Sequence, residues 1–247
     1  MTYTMQSGRE VTALSEVSLS IRRDEFLTIV GPSGCGKSTL LKILGKIIPA
    51  TSGEVRLNGE TLTRPTADIS ICFQQSLLFP WRTAEENILF PIEMLGRSKK
   101  AYRDAVRELI QMVGLTGFEK SYPRELSGGM QQRVAICRAL VTDPPILLMD
   151  EPFAALDAMT RDEIGIELLR IWNERKKTVV FVTHSIPESI LLADRVMIMS
   201  ARPGKIDQII EIDLPRPRTL SMVSTPEFGR YAEFIRGRIA AARQAAA

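Results

Sequence analysis

Residues Gly31 to Ser38 read Gly-Pro-Ser-Gly-Cys-Gly-Lys-Ser and match GxxxxGK[ST] in full, a spacing suited to cradling phosphates. Glycines let successive backbone N–H groups turn inward on phosphate oxygens, and the helix that follows adds partial positive charge at its N-terminus. On that geometry Gly31, Pro32, Ser33, Gly34, Cys35 and Gly36 form the cradle, Lys37 reaches the β- and γ-phosphates, and Ser38 ligates Mg²⁺, with Thr39 next in the same turn. The motif lies directly after a predicted strand and before a predicted helix, the context that separates it from a chance Gly-rich turn.

Other residues fit the same chemistry. Ile146-Leu-Leu-Met-Asp150-Glu151 places two acids at the C-terminal end of an apolar strand, where open α/β sheets bind their ligands. Alone they read as loop-capping groups. Beside a phosphate cradle, Asp150 holds Mg²⁺, directly or through water, and Glu151 orients and deprotonates an attacking water. His184 is the one histidine of the chain. It follows the apolar run Val-Val-Phe-Val-Thr, with Ser185 and Glu188 spaced as a capping box for the next helix. A lone histidine is often structural, but an imidazole at a strand end can also hydrogen-bond a γ-phosphate and its water. Leu126-Ser-Gly-Gly-Met-Gln-Gln-Arg133 opens a further helix with small residues, leaving Ser127 and the N–H groups of Gly128 and Gly129 for an anion. Because the first cradle already serves one nucleotide's phosphates, this second anion site suggests completion by another subunit.

The elements that must position these groups alternate. Glu25 to Val30 reads as a buried strand, Lys37 to Ile47 as a helix, and residues 54 to 62 as a small antiparallel ribbon turning at Asn58-Gly59. Asp68-Ile-Ser-Ile-Cys-Phe73 resumes the core. From Glu85 to Leu140 the segments become amphipathic and helical, an inserted lobe; then come the strand Ile146 to Met149, a helix from Arg161 to Glu174 and the strand Thr178 to Thr183. Such alternation predicts an α/β fold with a mostly parallel sheet covered on both faces. After the Pro-interrupted linker Asp213-Leu-Pro-Arg-Pro-Arg218 a last helix is predicted, capped by Thr225 with Pro226 in its first turn. Phe228, Tyr231, Ile235 and Ile239 share its face, which predicts docking on the core.

Composition bounds the alternatives. The chain has 247 residues, 45% hydrophobic, enough for a sizeable core in one nucleotide-binding unit. Lys plus Arg exceeds Asp plus Glu by 32 to 29, too little to make nucleic acid the expected partner. Basic residues gather between Arg202 and Arg243, read as a solvated tail. Cys35, Cys72 and Cys137 form no disulfide-like framework, which fits a reducing compartment. The N-terminal Met-Thr-Tyr-Thr-Met-Gln-Ser-Gly-Arg-Glu-Val lacks the apolar stretch of a secretory signal, and no uncharged apolar run is long enough to span a bilayer. Service to a membrane therefore requires a partner. The Ala-rich end is expected to fray.

With these motifs in this order and spacing, the chain resembles the ATP-binding cassette (ABC) ATPases over nearly its whole length. Gly31-Pro-Ser-Gly-Cys-Gly-Lys-Ser-Thr39 matches the family's Walker A motif, Leu126 to Arg133 its signature, Ile146 to Glu151 its Walker B, and His184 its switch histidine. Gln74 matches the glutamine loop that links Mg²⁺ to the helical lobe, and Ala155-Leu156-Asp157 the D-loop that crosses the dimer interface. Phe73-Gln-Gln-Ser-Leu-Leu-Phe-Pro-Trp81, Glu151-Pro-Phe-Ala-Ala-Leu-Asp157 and Ser200-Ala-Arg-Pro-Gly-Lys-Ile206 look like the nitrate, sulfonate and taurine importer ATPases. Met130 stands where many members have Gln. Tyr3 is the residue the resemblance offers for stacking on adenine; family members have a strand before it, whereas two residues precede it here, so either that strand is lost or the start is truncated.

The resemblance implies a P-loop NTPase core over residues 1–76 and 146–214, a helical lobe with the signature over 77–145, and a C-terminal linker and helix over 215–247. It implies ATP and Mg²⁺ as cofactors, and a head-to-tail homodimer with each ATP held between Lys37 of one copy and Ser127 to Gly129 of the other. Integral membrane permease subunits and, indirectly, a solute-binding protein are the implied partners, and the cytoplasmic face of the cell membrane the implied peripheral location. A soluble ABC protein acting on nucleic acid or ribosomes is the alternative, but the long coiled coil or second cassette usual in those proteins is missing. A P-loop kinase gives no reason for Leu126 to Arg133.

Overall fold

The computed structural model describes residues 1–4 and 10–244. The stretch read for a secretory signal and the Ala-rich end therefore fall partly outside the described residues. The chain divides into two units, Met1–Ala67 with Lys177–Ala247, and Asp68–Lys176. The lobe expected over 77–145 falls within the second.

The first unit begins with strand β1 (Thr2–Thr4) paired antiparallel with β2 (Glu10–Thr12), Tyr3 opposite Val11. Strand β3 (Phe26–Val30) is buried at every position, as its unbroken apolar run requires of a strand covered on both faces. Helix α1 (Lys37–Leu44) stops short of the expected Ile47. Gly45 closes it by donating to Leu41, and Lys46 turns to φ 56, outside helical space. Strands β4 (Arg56–Leu57) and β5 (Glu60–Thr61) form the expected ribbon; Asn58 and Gly59 both take positive φ, 52 and 88, as a two-residue type I′ turn demands.

The second unit holds β6 (Ile69–Cys72), α2 (Ala84–Met94), α3 (Arg103–Met112), α4 (Gly128–Leu140), β7 (Ile146–Asp150) and α5 (Ala158–Glu174). β6 and β7 run parallel, in register from Ile69 opposite Ile146 to Cys72 opposite Met149. Helix α2 starts at a full capping box between Thr83 and Glu86. Helix α5 starts before the expected Arg161 because the Asp157 side chain accepts the Thr160 N–H at 3.0 Å and satisfies a donor the helix leaves open.

The chain then returns to the first unit with β8 (Thr178–Val182), α6 (Ile186–Leu192), β9 (Arg195–Met199), β10 (Ile206–Glu211) and α7 (Pro226–Gln244). In this unit's sheet β3 lies between β9 and β8 and runs parallel to both, while β10 adds an antiparallel edge beyond β9. Phe26, Leu27, Ile29, Phe181, Met197 and Ile198 fill its core. Thr225 caps α7, and Phe228 and Ile235 are buried as the docking face predicts. The basic tail differs from expectation. Arg218 is only 5% exposed and donates to the carbonyls of Ile190, Leu191, Ala193, Ile212 and Leu214. It takes up the oxygens that the end of α6 leaves without helical partners, and burial lowers its pKa to about 10. Arg216 pairs with Asp194 at 2.8 Å. No helix of the described residues is long and apolar enough to cross a membrane. Cys35, Cys72 and Cys137 are free and buried.

Candidate functional site

In the first unit the phosphate cradle leaves the sheet at Val30. Gly34 and Gly36 take φ 74 and 101, left-handed conformations that a side chain strains to reach. Lys37 is 7% exposed, and its Nζ donates to the carbonyls of Gly31 and Pro32, both at 3.0 Å. Those are neutral acceptors. A buried ammonium whose acceptors among the described residues are neutral can take an anion as its charge partner. Gly36 offers no side chain to the first N–H groups of α1, and the first turn carries no acid, so the positive end of the helix is not offset by an acidic side chain of that turn. Burial pushes the Cys35 thiol up, against the opposing pull of Lys37, so the side chain under the loop stays neutral. Ser38 and Thr39 follow in the first turn of α1. The Tyr3 hydroxyl lies 3.3 Å from Thr39 Oγ1 and its residue is 39% exposed, which brings Tyr3 beside the cradle helix.

His184, also in this unit, is exposed just past the end of β8. Its turn is fixed by Thr183, whose hydroxyl accepts from the Ser185 N–H at 2.9 Å and donates to the Glu188 carboxylate at 2.6 Å. Ser185 caps α6 by accepting the Glu188 N–H at 3.4 Å. The expected capping box is thus rearranged: the Glu188 carboxylate accepts from Thr183, which locks the strand end that carries His184.

In the second unit Asp150, 4% exposed, ends β7. Glu151 follows at φ 46, a left-handed conformation costing of order 1 kcal/mol or more for a residue with a side chain. Parallel register puts Gln74 and Glu151 each two residues past the paired Cys72 and Met149. The Gln74 amide donates to Glu151 Oε2 at 3.0 Å. The two residues that the sequence suggested separately thus form one contact.

Helix α4 binds the loop around Gln74 to the signature. Gln132 donates to the Phe73 carbonyl at 3.1 Å, and Arg138 to those of Ser76 and Leu77 at 2.6 and 2.9 Å. At the other end of α4, Ser127 accepts the Met130 N–H at 3.2 Å; Ser127 and Gly128 are exposed, and Gly129 is partly covered. Asp157 is exposed too, its carboxyl held below the usual range by the Thr160 hydrogen bond.

Sequence reasoning missed Gln132, Arg138 and Asn87. Asn87 is fully buried in α2; it accepts from the Phe79 N–H at 2.8 Å and donates to the carbonyls of Phe79, Arg82 and Thr83. It staples a loop in which Phe79 packs on Phe90 and Trp81, at ring centroids 4.5 and 5.4 Å apart, while Trp81 stays 68% exposed. The available signal was a single amide inside the apolar run Asn87-Ile-Leu-Phe90.

The Ser38 hydroxyl, the Asp150 carboxylate and the Gln74 amide are hard oxygen donors of the kind Mg²⁺ prefers. Among the described residues no three His, Cys, Asp or Glu side chains gather as a metal cage.

Residues 14–154 match the ABC transporter family model. The chain is 48% identical over 225 residues to the aliphatic sulfonates import ATP-binding protein SsuB of Bacillus cereus, covering 91% of this chain and 88% of that protein. It is 50% identical over 222 residues to the uncharacterized ABC transporter ATP-binding protein MJ0412 of Methanocaldococcus jannaschii, covering 90% and 83%. Among solved structures, the dimeric ATP-binding cassette MJ0796 in a post-hydrolysis state with ADP and Pi superimposes with a TM-score of 0.78 at 36% identity, over 87% of this chain and 96% of that one. The match spans the cradle, the signature and the Asp150-Glu151 pair alike: the chain belongs to the ABC transporter family, as one of its ATP-binding, ATP-hydrolysing subunits.

Proposed function

We propose that this subunit powers import of a small anionic solute, of the sulfonate, nitrate or taurine kind, by hydrolysing ATP between two copies of itself. The observation that carries the reading is the Gln74–Glu151 hydrogen bond, made by a loop that runs within a few residues into the stapled aromatic cluster of Phe79 and the exposed Trp81. In this reading Glu151 takes a proton from the attacking water, Lys37 and the loop from Gly31 to Thr39 hold the phosphates, His184 senses the γ-phosphate, and Tyr3 stacks on adenine. Ser38, Gln74 and Asp150 would hold Mg²⁺, which when bound neutralises charge developing on the phosphates. Ser127, Gly128 and Gly129 of one copy complete the ATP site of the other, with Asp157 at the junction of the two.

A change at the γ-phosphate that alters the Glu151–Gln74 contact alters the loop, and the loop carries Trp81 to an integral membrane permease. The subunit would then work as a peripheral protein on the cytoplasmic face of the membrane, with a solute-binding protein delivering cargo to the permease. Identity with the sulfonate importer ATPase supports the solute class. The test is co-purification with integral membrane proteins, followed by ATPase assays in vesicles. Trp81→Glu should stay folded and hydrolyse ATP while losing permease association and transport. Wild-type transport by a well-folded Trp81→Glu contradicts the docking role. Stimulation of hydrolysis by none of alkanesulfonate, nitrate or taurine with their binding proteins contradicts the solute class.

A further inference from the structure

The turn Ser200 to Lys205 joins β9 to β10 on the sheet edge. It is closed on itself: the Ser200 N–H donates to the Lys205 carbonyl at 2.9 Å and the Lys205 N–H to Ser200 Oγ at 3.0 Å. Its outer side meets the phosphate cradle. Arg202 donates from Nε and a terminal nitrogen to the Gly34 carbonyl, at 3.3 and 3.1 Å. Gly204 is buried so close beneath Cys35 that a Cβ built on it would overlap the Cys35 carbonyl oxygen. Gly204 is in turn held by the chain on the other side, donating to the Ala13 carbonyl at 2.9 Å and accepting from the Ser15 N–H at 3.0 Å.

A loop that turns its N–H groups toward an anion must turn its carbonyls outward, and each takes a donor from protein or water. Here the oxygens of Gly31 and Pro32 take the Lys37 ammonium, that of Gly36 takes the Leu40 N–H at 2.8 Å, and that of Gly34 takes Arg202. The Gly34–Cys35 peptide is thereby fixed at both ends, because the Cys35 N–H donates to Pro32 at 3.3 Å.

We infer that Arg202 and Gly204 are positioning residues for ATP binding, the turn serving as a rigid backstop that fixes the cradle backbone at Gly34 and Cys35 before nucleotide arrives. This rests on the reading of Gly31 to Ser38 as the ATP cradle. Preorganisation of this kind contributes to ground-state and transition-state binding alike. Its loss therefore raises KM for ATP and leaves kcat largely intact.

The experiment titrates a fluorescent ATP analogue and measures steady-state hydrolysis for the full chain and its variants. Arg202→Met, which removes the donor from an exposed side chain, should weaken nucleotide binding several-fold and raise KM to match, and Arg202→Lys, which keeps a donor, should recover much of the loss. Gly204→Ala should weaken binding by about tenfold or more. Gly237→Ala, where an added Cβ meets nothing within 4 Å, is the neutral control. Should Gly204→Ala fail to fold, the Arg202 pair decides alone. Wild-type affinity in both Arg202→Met and a folded Gly204→Ala overturns the inference, as does a loss confined to melting temperature. If Lys37→Ala also binds like the wild type, it is the cradle itself that has been misassigned.

Discussion

Helices α1 and α4 both begin at glycine-rich turns, and they treat their first N–H groups in opposite ways. At α1 the cap is Gly36, with no side chain to give; the carbonyls of Gly31, Pro32, Gly34 and Gly36 in and before the turn are taken by donors of the same chain, and Lys37 is buried beneath it. At α4 the cap is Ser127, whose hydroxyl already accepts the Met130 N–H, and the turn is exposed. One helix end takes its lysine and the donors to most of its carbonyls from its own chain. The other is finished enough to stand in water yet bare enough to meet something else. The physics of helix N-termini is shared, so the difference lies in who supplies the rest of the pocket: the same chain at α1, and a second copy at α4 on our reading.

The largest effect should come from the chemical step that both ends serve. Glu151→Gln keeps the shape and the Gln74 contact but cannot take a proton, so turnover should fall about 10²- to 10⁴-fold while ATP binding survives. Size-exclusion chromatography with Mg-ATP should then show more dimer than the wild type; normal hydrolysis with no extra dimer removes Glu151 from the role of base. Next comes Lys37→Ala. Removing a buried charge-assisted contact to phosphate should cost about 3 kcal/mol, roughly a hundredfold in nucleotide affinity, and an unchanged titration would break the α1 half of the contrast. Ser127→Ala sharpens the other half. A monomer's affinity for ADP should stay near that of the wild type, whereas ATP-driven dimerisation should weaken; an equal loss in both would mean α4 serves its own chain's nucleotide.

Thr83→Ala gives the smallest effect and calibrates the rest. Its capping box is a helix start with only a structural duty, so the variant should lose about 1 kcal/mol in denaturant unfolding with nucleotide affinity unmoved.

The difference between the two helix ends also explains what could be read from sequence. The cradle was legible because its function is written in consecutive residues, and β3, β7 and β8 because unbroken apolar runs admit little else. The Asn58-Gly59 ribbon followed from turn stereochemistry. What escaped depends on residues far apart in the chain. Asn87 reads as one polar position in an apolar helix until its amide is seen stapling Phe79 to Thr83. Gln132 and Arg138 look like solvent-facing residues of α4 until their partners, the carbonyls at Phe73, Ser76 and Leu77, are known. Arg218 reads as part of a solvated tail, yet it is buried because the carbonyls ending α6 need a donor. Periodicity reports which face is apolar and is silent on which distant carbonyls need a proton.

Mixing two defective variants tests most directly whether the exposed end of α4 completes a partner's site. Ser127→Arg damages the signature of its own chain, and Lys37→Ala the cradle of its own chain; each homodimer carries the same defect at both ATP sites. A head-to-tail heterodimer collects both defects in one site and leaves the other intact. ATPase activity of the mixture should therefore exceed that of either variant alone. A mixture no more active than its parents, with heterodimers demonstrated in the same sample, would contradict the shared site.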